Sequence, residues 1–292
     1  MGQQNGPGGI VSGFDQRPPA TPNRTNRRHS PTSEGILSRA VRWLRREPPE
    51  NVIVLGNQKS GTTVVAALLS QCLGTSVTLD FPAEIRDLLH PRIWSGELDF
   101  SELVRANRKE FSRGVVKDAT LSLFFPQTAQ HFPRSQFVMV MRDPRDNLRS
   151  ILNRLKLPGN LPDLPPEVMA EMIPAWKLIV DGRWLGLKGD NYIERLAARW
   201  DLIASTYLTH ATRMVLIKYD DFVKDKAGAI AQLARALGRE PRHDISDKVD
   251  VQYQSRGDRD VRWLDFFGRD NLGRIERICR ERMSALGYAP LV

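Results

Sequence analysis

The 292 residues carry 43 Lys and Arg against 34 Asp and Glu, a formal net charge of +9, with 41% hydrophobic residues. That composition fills a core, so a fully disordered or fibrous chain is excluded. Two cysteines are too few for a disulfide framework, and no apolar run reaches the roughly 18 residues of a membrane span or forms a secretory signal, so cytoplasm is the expectation.

Residues 1–33 are rich in Gly, Pro, Asn, Thr and Arg with almost nothing to bury, and read as a disordered tail. In 34–47, Ile36, Leu37, Ala40, Val41 and Leu44 recur at helical spacing among four arginines. This basic amphipathic helix is read as packing on its own domain, with peripheral contact to an anionic membrane as the alternative. From 51 to 292 a single domain is expected. Short apolar runs predict strands at Val52 to Gly56, Ser76 to Leu79, Gly114 to Lys117, Gln136 to Met141 and Met214 to Lys218. Helical patterns fall at Thr62 to Leu73, Ser122 to His131, Pro144 to Arg154, Tyr192 to Thr212, Lys226 to Leu237 and Leu272 to Leu286. Cys72 and Cys279 sit on apolar helical faces as core residues. The alternation predicts an α/β fold with a central parallel sheet covered by helices on both faces. LPGNLPDLPPE at 157–167 reads as a long surface loop and a candidate lid.

The most informative stretch is the turn after the first strand, Gly56-Asn-Gln-Lys59-Ser60-Gly61-Thr62-Thr63. A strand, a glycine-containing turn and a helix start make an anion cradle, because the first N–H groups of a helix lack intrahelical partners and the dipole adds positive charge there. Gly61 is expected to let a ligand approach closely. The lysine stands three positions earlier than in the GxxxxGK[ST] loop of nucleotide triphosphatases, and the site offers no carboxylate cluster for magnesium, so no metal is expected. Arg142 ends a strand, Asp143 and Pro144 start a helix, and Ser150 follows two turns on, a fork-shaped donor and a hydroxyl suited to a terminal phosphate. Arg145 and Arg149 on the same helix are read as solvent-facing.

These motifs resemble the sulfotransferases that use 3′-phosphoadenosine 5′-phosphosulfate (PAPS), with a P-loop-like architecture. Lys59 to Thr63 is similar to their 5′-phosphosulfate loop, FVMVMRDPRDNLRS at 137–150 to their 3′-phosphate motif, and IKYDDFVKDKAGAIAQLARALG at 217–238 to their Tyr-acid-acid segment and following helix. The end, from about Trp263 to Tyr288, resembles their closing helix. The resemblance implies sulfuryl transfer from PAPS to a hydroxyl or amine acceptor by in-line displacement. It assigns Lys59, Ser60, Gly61, Thr62 and Thr63 to the 5′ end, Arg142 and Ser150 to the 3′-phosphate together with Arg256 and Gly257, and Tyr219 to adenine. Lys117, followed by Asp118, is similar to a lysine that assists at the transferring group in tyrosylprotein sulfotransferases. Glu84 occupies the stretch in which those enzymes place a glutamate base, with His90 and then Asp118 as rivals. The acceptor class stays open among glycan, lipid, peptide and small molecule, and no nucleic acid is expected. Two other readings remain: a P-loop kinase with an atypical loop, and a basic nucleic-acid or membrane-binding module.

Overall fold

The chain divides into two units, Met1–Glu47 and Pro48–Val292. A computed structural model describes residues 50–81, 87–252 and 261–291, all of which lie in the second. The expected tail and amphipathic helix, as well as Glu84, Arg256 and Gly257, lie outside the described residues.

The first strand, β1 (Val52–Gly56), is buried at every position and leads into α1 (Thr62–Cys72). Next come β2 (Val77–Thr78), three short helices α2 (Leu89–Trp94), α3 (Phe100–Ala106) and α4 (Arg108–Phe111), and then β3 (Val115–Lys117). A 3-10 turn (Ala119–Phe124) and α5 (Phe125–His131) precede β4 (Gln136–Met141) and α6 (Pro144–Leu155). The remainder comprises α7 (Pro166–Glu171), α8 (Pro174–Asp181), the long α9 (Tyr192–Thr209), β5 (Met214–Lys218), α10 (Tyr219–Phe222), α11 (Lys226–Ala236) and α12 (Trp263–Ala285).

All pairings are parallel, in the order β2-β3-β1-β4-β5. Side chains alternate across the sheet with period two. Val52 and Val54 of β1 join a core with Val65 and Leu69 of α1 and with Ile230 and Leu233 of α11. Ile53 and Leu55 face the other way, toward Leu196 and Trp200 of α9 and Leu272 and Ile275 of α12. Both faces are therefore covered, and ligand access falls to the strand ends. The connection after β1 runs to the β2 side of the sheet and the one after β4 to the β5 side, so the switch point, where open α/β sheets bind ligands, is the crevice between the carboxyl ends of β1 and β4.

Among the segments read from sequence, three differ in character. The helix expected from Ser122 is a 3-10 turn that becomes α-helical at Phe125, where Pro126 takes an early helical position. The last helix starts at Trp263, broken at Gly268, where φ is 70°. The loop at 157–167 is a tied strap rather than a lid. The Tyr192 hydroxyl donates to the Pro158 carbonyl, Asn191 to Pro162, and Asn271 to both Gly159 and Leu161.

Candidate active site

Two glycines shape the turn between β1 and α1. At Gly56, φ is 150°, and an added Cβ would lie 2.5 Å from the Val140 carbonyl oxygen on the adjacent strand. At Gly61, φ is 97°, and a Cβ would lie 2.2 Å from Cδ2 of Tyr219. The space that glycine leaves is thus filled by the Tyr219 ring, where the sequence reading expected the ligand. Lys59 between them is left-handed, with φ 66°, a conformation that costs a non-glycine residue about 1–2 kcal/mol. Its surroundings must hold it there.

They do so from both sides. The Gly56 N–H donates to the Ser122 hydroxyl at 2.7 Å, and that hydroxyl donates back to the Gly56 carbonyl at 3.0 Å. The Ser60 N–H donates to the Asn57 carbonyl at 3.1 Å, closing the turn. Asn147 of α6 donates from Nδ2 to the Gln58 carbonyl at 2.8 Å and to the Ser60 hydroxyl at 3.0 Å. Ser60 and Thr62 are buried, while Lys59 and Thr63 are half-buried.

Arg142 follows β4 at the other lip of the crevice and is buried. Its Nη1 donates to the Lys59 carbonyl at 3.2 Å, and its guanidinium carbon lies 4.8 Å from the centroid of the Tyr219 ring. The Trp200 indole N–H donates to the Arg142 carbonyl at 2.9 Å, so α9 buttresses this lip. Half-buried Ser150 lies further along α6. Asp143 caps that helix by accepting from the Arg145 N–H, as the sequence predicts, with Pro144 at its start.

Arg145 and Arg149 are not solvent-facing. Arg145 is 3% exposed, bonded at 2.6 Å to both Asp143 and Glu276, with Trp263 stacked over it at 4.0 Å. Arg149 pairs with Asp146 and donates to the Val261 carbonyl. The covering groups come from α12 and the residues just before it, which supply the carboxylate and indole that make burial of these charges tolerable.

Lys117, at the end of β3, is buried, with its Nζ 2.6 Å from Asp80 Oδ1. Loss of hydration pushes the Asp80 carboxyl above the ordinary range; the charge of Asp118 adds to this and Lys117 pulls against it. Asp118 is buried and caps the 3-10 turn through the Thr120 N–H. His90 is buried with its ring stacked on Phe124, 5.6 Å between centroids, in the apolar layer. Arg199 of α9 escaped the sequence reading. It is buried under the turn and donates to Asn57 Oδ1 at 3.3 Å and to Gln58 Oε1 at 2.9 Å, and loss of hydration pushes its pKa down to about 10. Its only signal in sequence is an arginine inside an apolar helical stretch.

The crevice is therefore a donor-rich cradle, with backbone N–H groups, two hydroxyl-bearing turns and cations on both lips, as a dianionic nucleotide end requires. Among the described residues no group of three or more His, Cys, Asp or Glu is placed to hold a metal ion. The sulfotransferase domain model matches residues 49–256. The chain belongs to the sulfotransferase family. It is a PAPS-dependent sulfotransferase, taking its sulfuryl group from that co-substrate. Sulfotransferase STF9 from Mycobacterium avium aligns with a TM-score of 0.51 at 12% identity over 86% of this chain and 80% of that one. STF1 from Mycobacterium tuberculosis H37Rv aligns with 0.50 at 12% over 85% and 81%. At such identity the likeness is one of fold. No curated protein matches the chain in sequence.

Proposed function

We propose that residues 59–63 hold the 5′-phosphosulfate of PAPS, Arg142 and Ser150 its 3′-phosphate with Arg256 and Gly257, and Tyr219 its adenine. The observation that carries this is the bond from Arg142 to the Lys59 carbonyl, which joins two anion-binding segments 83 residues apart at the switch point of the sheet. When bound, PAPS supplies an activated sulfuryl group. Lys59 and the loop N–H groups put positive charge where the departing oxygen gains negative charge, and Lys117 assists beside the transferring group. Glu84 accepts the proton of the acceptor hydroxyl on a carboxylate oxygen. The acceptor is a hydroxyl- or amine-bearing glycan, lipid, peptide or small molecule, since acceptor loops vary on a fixed scaffold. Residues 1–33 and 34–47 are proposed as a tail and a basic helix outside the catalytic domain. Two free, buried cysteines support a reducing, cytoplasmic setting. Among the described residues no helix is long and apolar enough to cross a membrane.

Thermal unfolding with the desulfated nucleotide, adenosine 3′,5′-bisphosphate (PAP), tests the site. A saturating dose raises the melting temperature equally with and without chelator. No shift, or one that chelator removes, overturns the assignment. Labelled PAPS with fractionated cell extract then identifies the acceptor.

A further inference from the structure

We infer that Arg199 supplies a fixed positive charge beneath the 5′ end of the nucleotide, so that the anion in the loop is the counter-ion this buried guanidinium otherwise lacks. The inference rests on the assignment of residues 59–63 to that end. Arg199 is 1% exposed, and among the described residues it makes no ion pair with a carboxylate. The charge of Asp118 reaches it, but loss of hydration outweighs that attraction. Its Nη1 has no hydrogen-bond partner among the described residues. Even with its pKa pushed down to about 10, the group is a cation at neutral pH.

Bracing the turn does not require a cation. The Gln58 N–H donates to Asn57 Oδ1 at 3.0 Å, and Asn57 Nδ2 donates to Asn147 Oδ1 at 2.9 Å. Asn147 Nδ2 donates in turn to the Gln58 carbonyl and the Ser60 hydroxyl, so neutral groups close this network by themselves. Arg199 adds one bond to Asn57 Oδ1 and one to Gln58 Oε1, two oxygens that a neutral donor would satisfy as well. What a guanidinium adds over such a donor is its charge, at the cost of taking that charge out of water. Asn57 and Gln58 lead directly into residues 59–63, so the charge lies one layer of side-chain amides from the anion cradle. In the water-poor interior it is felt over that range and is screened little by salt. When the bond from the bridging oxygen to sulfur breaks, the electron pair stays on that oxygen, and the 5′-phosphate takes its second negative charge. A cation fixed beneath the turn favours that outcome.

Titration calorimetry of the full chain with PAP and with adenosine 3′-monophosphate, each on both sides of the second phosphate ionisation at about pH 6, tests this. A charge beneath the 5′ end is worth more to the dianion than to the monoanion, whereas a neutral brace is worth the same to both. Arg199→Met is expected to weaken PAP about tenfold at about pH 8 and about threefold at about pH 5. Adenosine 3′-monophosphate, which lacks the 5′-phosphate, loses no more than about twofold at either. Arg199→Lys keeps the charge and stays within about threefold of the parent. Should Arg199→Met not fold, Arg199→Gln takes its place, since its amide still donates and carries no charge. A PAP loss equal at the two pH values, an equal loss of adenosine 3′-monophosphate, or Arg199→Lys as weak as Arg199→Met overturns the inference and leaves the loop assignment standing. Absence of PAP binding by the parent chain overturns the loop assignment and the inference with it.

Discussion

Lys59 and Arg142 carry the same charge into one crevice, yet under the proposed assignment they face different events. Lys59 stands where charge grows during transfer, whereas Arg142 faces a phosphate that does not react. Lys59→Ala is expected to lower turnover about 10²-fold or more with PAP affinity little changed, and Arg142→Ala to weaken PAP about 10–100-fold with turnover at saturation retained. Equal loss of affinity in both, with turnover intact, reverses that reading. For the base, Glu84→Gln should keep PAP binding, reduce turnover about 10²-fold and remove the acidic limb of the pH profile. Collapse instead in Asp80→Asn, His90→Ala or Asp118→Asn moves the role there. Asp80 joins those rivals because it touches Lys117 and loss of hydration raises its carboxyl pKa above the ordinary value. Gly61 tests the packing: Gly61→Ala drives a methyl into Tyr219 and should destabilise by about 2–4 kcal/mol in urea, part of which Tyr219→Ala recovers. The positions of the loop and Arg142 were legible in sequence because each follows a short buried apolar run. Arg145, Arg149 and Arg199 were not, because an arginine's burial depends on a carboxylate or amide supplied from a distant segment, as Glu276 is for Arg145.

Helix α9 shows what elements add. Adjacent residues Arg199 and Trp200 reach the two lips of the crevice, one to the turn after β1 and the other to the Arg142 carbonyl. Its first turn is capped by Asn191, and the Glu194 carboxylate accepts from the Asp190 N–H, Arg274 and Arg277, bonding α9 to α12. Burial alone would raise the Glu194 pKa, but these donors outweigh it and hold the group below the ordinary Glu value of 4.5. A depressed carboxylate stabilises the fold above its unfolded pKa and loses that contribution as pH falls through the lower folded value. The gap in urea midpoint between parent and Glu194→Gln should therefore be full above about pH 5 and close as pH falls below about 4. A gap that widens on acidification contradicts the sign. Of the elements, β1, β4 and β5 match the sequence reading to the residue, since short buried apolar runs bounded by turns are unambiguous at 240-residue scale only when helices alternate with them. The short helices α2, α3, α4, α7, α8 and α10 went unread: four to eight residues give too little periodicity to register, and packing rather than propensity holds them.

At the scale of the molecule, the named core residues run from Val52 to Tyr288, and the chain divides at Glu47 and Pro48. A chain beginning at Pro48 keeps every core residue named among the described ones and is expected to fold cooperatively; failure to do so in a urea or thermal melt would show that the fold needs the first 47 residues. The sheet order has a consequence for how this protein is made. The central strand β1 is complete early in synthesis, but its neighbours are β3, where Val52 meets Val115, and β4, where it meets Gln136. At ribosomal speed β3 follows β1 by about 3–12 s and β4 by about 4–17 s, so the apolar strand has neither edge covered before β3 emerges and one edge uncovered until β4 does. Since β2 is adjacent to β3 and not to β1, the next strand in sequence gives no shelter. The order that opens a crevice for the nucleotide thereby leaves β1 of the nascent chain to be sheltered by docking of α1 against Val52 and Val54, or by a holding chaperone, until β3 and β4 arrive.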